Sequence, residues 1–400
     1  MMVIMAMFFM NNLNLLIKFP RRVRTAVLLL FSLPLVLMIR LLKPIVLIRL
    51  GSLRTGRLGH LALNTEIYCC EVDAGIHDNS QLDIFFPGSS IANHQLVNMW
   101  KRVLFVNRFA RYVDRVNGWL PGAAIHKIPL PTDRDERQLL TASDSHIAFT
   151  KTEKLKGRHA LSDLGLIEGK PFVCFHARDS AYLSNVDPHV DWSYHDYRDT
   201  DISNFVPAVE ELARLGYQSV RLGAVVAKPV DVKNPKIIDY AINGRNEFMD
   251  IFLASNCRFL LASSSGLMGL AQTFRVPLAY VNQIPLEYEP RGASDLFIPK
   301  KLRISQEDRF MTFREVIESG AGRFLRGSQF DDMGIEVIEN TSDEVLELAK
   351  EMEQRLTGEW QETDIDQDLQ RRYWGLFNGH KTLARIGSHF LRANQDLLEI

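Results

Sequence analysis

The 400-residue sequence predicts an α/β protein of two doubly wound halves, with an apolar helix ahead of them and further helices behind. Three observations carry this. Continuous apolar runs recur, as expected of strands buried on both faces. Segments of helical periodicity lie between them. From Lys170 to Asn282 the alternation of the two is clear, the pattern of a parallel sheet with crossover helices.

Taken in order, Thr25–Ile39 reads TAVLLLFSLPLVLMI, fifteen residues without a charge and with Pro34 inside. That falls short of the roughly 17–25 apolar residues of a spanning helix. Basic residues flank both ends, and no small-x-small cleavage site follows. The favoured reading is a helix lying in the cytoplasmic leaflet, with Arg21, Arg22, Arg24, Arg40 and Lys43 meeting headgroups. A single span and a helix docked on the protein's own core are the rivals.

Pro44–Leu50 (PIVLIRL) predicts the first strand, followed by a loop with glycines at 51, 56 and 59. His60–Cys70 has helical spacing, with Leu63 and Ile67 four apart. Leu82–Phe86 predicts a second strand, Gln95–Arg115 a helix and Ala124–Pro129 a further strand. In the second half the expected strands are Phe172–His176, Gln218–Leu222, Lys236–Tyr240, Arg258–Ala262 and, last, Pro277–Val281. The expected helices are Asp201–Leu215, Asn246–Asn256 and Gly266–Phe274. Thr341-Ser342-Asp343-Glu344 opens a helix near the end. The implied layout is a membrane-associating segment 1–43, an acceptor half 44–165, a donor half 166–335, and helices 336–400 crossing back onto the first half.

Charge is unevenly spread. Residues 1–60 carry nine basic side chains (Lys18, Arg21, Arg22, Arg24, Arg40, Lys43, Arg49, Arg54, Arg57) and no acidic one, leaving 38 basic against 48 acidic beyond. A basic, apolar head on an acidic body suits an anionic membrane surface. Outside that head no basic stripe suggests nucleic acid. Cys69, Cys70, Cys174 and Cys257 show neither metal spacing nor a disulfide framework, and fit a reducing cytoplasm. No metal and no cofactor are expected.

Four constellations could carry chemistry. His176, Arg178 and Asp179 follow a buried strand, at the edge where open α/β sheets bind ligands. Arg forks onto phosphate oxygens, although a strand-end Arg178–Asp179 pair is the plain alternative. Ser263, Ser264, Ser265 and Gly266 form a strand-to-helix turn, which suits phosphate at a helix N-terminus or simple capping. The loop Gly51–His60 is neither a P-loop nor a dinucleotide fingerprint. Its Gly56 and Gly59 could let backbone approach a sugar or a lipid-linked acceptor, with His60 and Glu66 as candidate bases, or could simply turn the chain. The run Asp187–Asp199 offers Tyr194, Tyr197 and Arg198 for sugar faces and edges, or a solvated loop pinned by its aromatics.

The runs GRLGHLALNTEIY, CFHARD, YRDTDISNF and ASSSGLMGLAQTFRVPLAYVN resemble a family of bacterial surface-polysaccharide glycosyltransferases. The resemblance covers Ile45–Asn282 and the helix start near Thr341. It implies a GT-B-like fold of two Rossmann-like domains. The His-x-Arg strand end also resembles that of fucosyltransferase-like GT-B enzymes. By that likeness Arg178 binds a donor diphosphate, His176 contacts the donor, and Ser264 and Ser265 contact phosphate. Asp179 stands where that pattern has a second basic residue, so a fucose donor does not follow.

The expected function is metal-independent transfer of a sugar from a nucleotide sugar to a glycan or lipid-linked acceptor, at the inner face of the cytoplasmic membrane. Donor residues are His176, Arg178, Ser263–Ser265, Gly266 and Asn243. Gly56, Gly59, Tyr194, Tyr197 and Arg198 are expected on the acceptor or sugar. His60 or Glu66, then Asp179, is the expected base. Two alternatives remain: a nucleotide-sugar epimerase of the same fold, and a non-catalytic, membrane-attached sugar- or nucleotide-binding protein of an export assembly.

Overall fold

The computed structural model describes residues 20–77, 81–186, 188–377 and 382–399. The chain divides into two compact units, Met1–Phe149 and Thr150–Ile400.

In the first unit β1 (Leu47–Leu53) pairs in parallel with β2 (Gln81–Pro87). Parallel bridges Leu50–Lys127 and Phe85–Val106 extend this small sheet on both sides. Strand residues alternate between two faces. Ile48, Leu50, Ile84 and Phe86 pack with helices Arg21–Leu41 and Ala110–Asn117. The opposite face turns Arg49 and its cross-strand partner Asp83 towards the helix Thr65–Asp73. Arg49 grips Asp83 with two bonds, Nε–Oδ1 at 2.7 Å and Nη2–Oδ2 at 2.6 Å, and the Tyr68 hydroxyl donates to the same carboxylate. Arg49 is therefore a core residue and not part of a lipid-facing head. Buried charge is tolerated here because the pair is bidentate and further hydrogen-bonded.

Several expected bounds shift. The first turn of the expected His60–Cys70 helix is π-helical, His60–Asn64, before the α-helix begins. Gln95–Arg115 is two helices, His94–Trp100 and Ala110–Asn117. Between them Asn107 turns its side chain back onto Phe109 N at 2.8 Å, a local bond that competes with a continuous helix. Ala124–Pro129 is not a strand; its first part is a 3-10 turn, and only Lys127 bridges to β1.

The helix Arg21–Leu41 is long and apolar enough to cross a membrane by length and composition. Leu28, Ser32, Leu35, Val36 and Ile39 form its buried face. Leu30, Phe31, Leu33, Leu37 and Leu41 are exposed. Arg40, expected at headgroups, is drawn inward and donates to Asn117 Oδ1 at 2.9 Å and to the Pro121 carbonyl at 2.7 Å.

The second unit contains a seven-stranded parallel sheet. Its strands are β3 (Phe172–His176), β4 (Gln218–Arg221), β5 (Ile237–Ile238), β6 (Leu260–Ala262), β7 (Leu278–Gln283), β8 (Leu296–Pro299) and β12 (Arg385–Ile386). The order is β12-β8-β7-β6-β3-β4-β5. A three-stranded antiparallel sheet joins β9 (Lys301–Ile304), β10 (Arg309–Phe310) and β11 (Ile335–Ile338). Val173 and Phe175 share one core with the helices Val206–Arg214 and Ser342–Thr357. Cys174 points the other way, its Sγ 3.6 Å from the Leu253 carbonyl of helix Glu247–Asn256. The sheet is thus covered on both faces, which is why its strands read as apolar runs.

Pro277–Val281 is not the final strand, because β8 and β12 extend the same edge. Nor do residues 336–400 belong with the first half. Val345, Leu348, Met352, Leu369, Tyr373 and Leu391 bury into the core beneath β7 and β8. Their apolar stripe finds its partner on this sheet.

Helix Lys151–Asp163 meets helix Glu247–Asn256 through Gly157, where a Cβ would lie 2.2 Å from the Phe252 ring. Alanine at a helix interior ordinarily gains about 1 kcal/mol over glycine. Here overpacking costs about 1–3 kcal/mol and outweighs that gain. Gly157→Ala is expected to lower the denaturation midpoint in urea despite its better helix propensity.

Candidate functional site

The order of the large sheet places a reversal between β3 and β6. From β3 the chain steps outward through β4 and β5, then returns to lay β6 on the other side of β3. The connections leaving these two strands diverge, and a crevice opens beyond their carboxyl ends. That is where open α/β sheets bind ligands.

The sequence fills this edge with polar groups. Ser263 N donates to the His176 carbonyl at 3.0 Å, and the Arg178 backbone N–H donates to Ser263 Oγ at 2.8 Å. The two strand ends are thereby stitched together, and Ser263 is a buried tie (0% exposed) rather than a free ligand group. Ser265 precedes the helix Gly266–Thr273 but makes no side-chain cap, and its buried Oγ has no hydrogen bond among the described residues. The helix start thus keeps hydrogen-bonding capacity to offer, together with its positive dipole end.

Arg198 reaches this start. Its Nη2 and Nε donate to Ser264 Oγ at 2.8 and 3.1 Å. It was expected on the sugar; the structure places it against the serine turn that opens the helix. Arg178, buried, is held by the carboxylate of Asp199 and by the His195 carbonyl at 3.1 Å. Its partner is Asp199 and not its neighbour Asp179. Burial lifts the Asp199 carboxyl to about 6, against the pull of Arg178. Lys300, at the β8–β9 junction, donates to the Asp199 carbonyl at 2.7 Å, and burial draws it down to about 8. Neither Asp199 nor Lys300 was singled out from the sequence. Asp199 was named only as the end of a polar run, with no role of its own, and Lys300 carries no motif and lies over a hundred positions away.

His176 is pulled down to about 4, chiefly by burial. Its Nδ1 lies 2.9 Å from the Leu222 carbonyl and must carry the proton there, so the neutral ring keeps Nε2 as an acceptor. Asp179 spends both oxygens on backbone amides, Ala181 N at 3.0 Å and Ala227 N at 2.9 Å. It clamps two loops and is a poor base. Tyr197 is half-buried and packs against the core at Phe330, ring centroids 5.4 Å apart. Tyr194 lies against His195 at 4.0 Å in a cluster with Trp192. Asn243 is exposed on the turn after β5, two strands from β3, and is not gathered into the arginine–serine cluster.

The remaining candidates lie in the first unit. His60 is partly exposed; its Nδ1 is 3.1 Å from Asn64 Oδ1 and 3.6 Å from Asp133 Oδ2. That orientation directs Nδ1–H to the oxygens and leaves Nε2 as the basic nitrogen. Glu66 is fully buried (0% exposed) and bonded to His146 Nδ1 at 3.0 Å, out of reach as a base. Gly56 faces the Ser90 hydroxyl, where a Cβ would lie at 2.9 Å, so it serves close packing. Gly59 has ordinary helical angles and leads into the π turn.

No family model matches the chain, and no curated protein matches it in sequence. Solved structures do. A glycosyl transferase family 9 protein from Veillonella parvula DSM 2008 is 11% identical over 78% of this chain and 98% of that one, with a TM-score of 0.46. The E. coli ADP-heptose LPS heptosyltransferase II is 12% identical over 60% and 86%, TM-score 0.35. The E. coli heptosyltransferase WaaC with ADP is 9% identical over 63% and 91%, TM-score 0.34. The α/β class, the leading helix, the two parallel-sheet units and the closing helices are visible in this chain's own topology. Its function is read from its own site.

If the crevice takes anions, Asp199 competes with them for Arg178. Affinity for sulfate, whose charge is constant near neutrality, is expected to rise as pH falls through about 6, because a neutral Asp199 releases the guanidinium. Asp199→Asn should bind more tightly at neutral pH and lose the rise centred near pH 6, as measured by isothermal titration.

Proposed function

We propose that the chain is a glycosyltransferase that takes a nucleotide sugar beyond β3 and β6 and passes its sugar to a glycan or lipid-linked acceptor of bacterial surface polysaccharide synthesis. The observation that supports this best is the junction of Arg198 with the uncapped start of helix Gly266–Thr273. Arg178 and Lys300 stand behind it. As the sugar–phosphate bond breaks, its electron pair leaves with the nucleoside diphosphate. Preorganised cations and helix N–H groups stabilise that charge best where it develops. Here Arg198, the Ser264 and Ser265 hydroxyls and the helix start would do so, with Arg178 as a reserve cation freed from Asp199. His176, neutral and fixed in one tautomer, would accept a hydroxyl of the donor at Nε2. The acceptor hydroxyl bonds to the anomeric carbon and gives its proton to a base. His60 suits that role, since Asn64 and Asp133 orient its other nitrogen.

The leading helix supports a place on the inner face of the cytoplasmic membrane. Leu30 (72% exposed), Leu37 (57%) and Leu41 (80%) line its outer side, and Arg21 and Arg22 are exposed at its start. A helix apolar on its outward face with cations at one end suits an anionic bilayer surface. Its inner face is already committed to the protein, which favours lying on the membrane over spanning it.

Transfer or hydrolysis with a panel of nucleotide sugars tests the activity; a chain that binds nucleoside diphosphates yet turns over none would be a binding protein. Arg198→Ala is expected to lower kcat about 10²–10³-fold, and His60→Ala about 10²–10⁴-fold. Leu30→Glu with Leu37→Glu should abolish co-sedimentation with anionic vesicles while leaving the fold unchanged by circular dichroism. Unimpaired sedimentation would remove the helix from the membrane.

A further inference from the structure

The first unit holds a cluster that the transfer reading does not use. On the helix Thr65–Asp73, Glu66, Cys70 and Asp73 recur at four- and three-residue spacing and share one face. His146 comes to that face from a loop pinned by the buried Ile147. Its Nδ1 lies 3.0 Å from Glu66 Oε1 and its Nε2 lies 2.9 Å from Asp73 Oδ2. Cys70 Sγ is 4.0 Å from Glu66 Oε1 and 3.2 Å from Ser143 Oγ. One ligand atom each from Glu66, Cys70 and His146 lies within 4.8 Å of the others. Glu66 and Cys70 are buried, at 0% and 2% exposure, so this is no surface patch of acids.

We propose that Glu66, Cys70 and His146 form a binding site for a borderline-soft divalent cation, zinc being the best fit. The donor set is one carboxylate oxygen, one thiolate and one imidazole nitrogen, the types zinc takes. Zinc bonds of about 2.0–2.3 Å place neighbouring ligands about 3.3–3.8 Å apart. The Glu66–His146 pair is already slightly closer than that, and the widest gap needs to shrink by only about 1 Å. The fourth position falls to the Ser143 hydroxyl or a water. Asp73 strengthens the assignment. Metal-bound histidines commonly donate their second N–H to a carboxylate, which fixes the ring and raises its basicity. Asp73 stands at Nε2, leaving Nδ1 for the metal. On binding, the Cys70 thiol and His146 Nδ1 give up their protons to solvent.

The site joins a helix to a loop seventy to eighty positions later, so its cation would brace the first unit. It takes no part in the proposed transfer, and its failure would leave that reading untouched. The sequence hides it because Glu66 and Cys70 are separated from His146 by most of the unit, and no short Cys/His spacing marks them.

The full chain, freed of metal by a chelator and then titrated with Zn²⁺ and Co²⁺, tests the proposal. One equivalent should bind, with thiolate-to-cobalt charge-transfer absorption and a rise in melting temperature. Cys70→Ser should remove the charge-transfer band, whereas Cys69→Ser should keep it. Asp73→Asn should weaken zinc affinity about 10–100-fold without altering stoichiometry. Lack of stoichiometric binding, cobalt bound without a thiolate band, or a Cys70→Ser protein with unchanged affinity would overturn the site. The cluster would then be a plain imidazolium held between two carboxylates.

Discussion

Two parallel strands whose outgoing connections part in opposite directions leave a gap that neither connection can cover. That constraint, set by β6 returning to the free side of β3, organises the second unit. Everything polar in the crevice answers it. The gap exposes strand-end carbonyls and helix-start N–H groups, and buried backbone groups must find partners. Ser263 supplies one tie across the border, from its own N–H to His176 and from its hydroxyl to Arg178 N. The helix Gly266–Thr273 then starts at this edge, and its uncapped end turns a positive dipole end towards it.

The charges there are held on a rigid backing. Thr200 N donates to the Arg178 carbonyl at 2.9 Å, and Thr200 Oγ1 accepts from Asn282 Nδ2 at 3.3 Å. Asn282 and Asn340 exchange backbone-to-side-chain bonds at 2.6 Å in both directions, and Asn340 Nδ2 reaches the Pro299 carbonyl at 2.8 Å. This buried chain links the strand end that carries Arg178 to β7, to β8 and to the start of helix Ser342–Thr357. Lys300 follows Pro299 directly, so the same frame sets its distance from Asp199. Asp199 in turn compensates buried cations that would otherwise be costly. Under the proposed anion binding, the group that neutralises Arg178 would have to yield, and a carboxylate lifted to about 6 yields more readily than an ordinary one.

What the sequence revealed follows from which physics is local. Buried parallel strands read as apolar runs, so β1 to β7 were found, and Thr341 with Glu344 announced a capping box that forms as expected. The His176–Asp179 and Ser263–Ser265 turns were legible because strand ends and helix starts have local signatures. β8, β12 and the antiparallel sheet, with strands of two to four residues, were missed, whereas β4, β5 and β6 of similar length were read. The pairing of Arg178 with Asp199, the role of Lys300 and the burial of Glu66 depend on contacts between distant segments. Arg198 was picked out for its type, but its contact with Ser264 could not be read, because only the fold brings the two together.

The basic head shows how composition misleads when geometry is unknown. Arg49 is spent on Asp83 inside the small sheet, and Arg40 on Asn117 and Pro121. The cations left for a membrane are fewer than the count suggested, and those on the leading helix gather at its start. The apolar residues lead to the opposite correction. A helix whose only task was to cover its own core would be polar outside. Here the inward positions 28, 32, 35, 36 and 39 follow helical spacing, and the outward positions 30, 31, 33, 37 and 41 are four leucines and a phenylalanine. Intramolecular packing accounts for the first set. The second is not used by packing among the described residues, and an exposed apolar set of this kind suits an apolar surrounding. The docked and membrane-facing readings of this helix are therefore compatible: one face holds it to the protein, and the other is free to hold the protein to a bilayer.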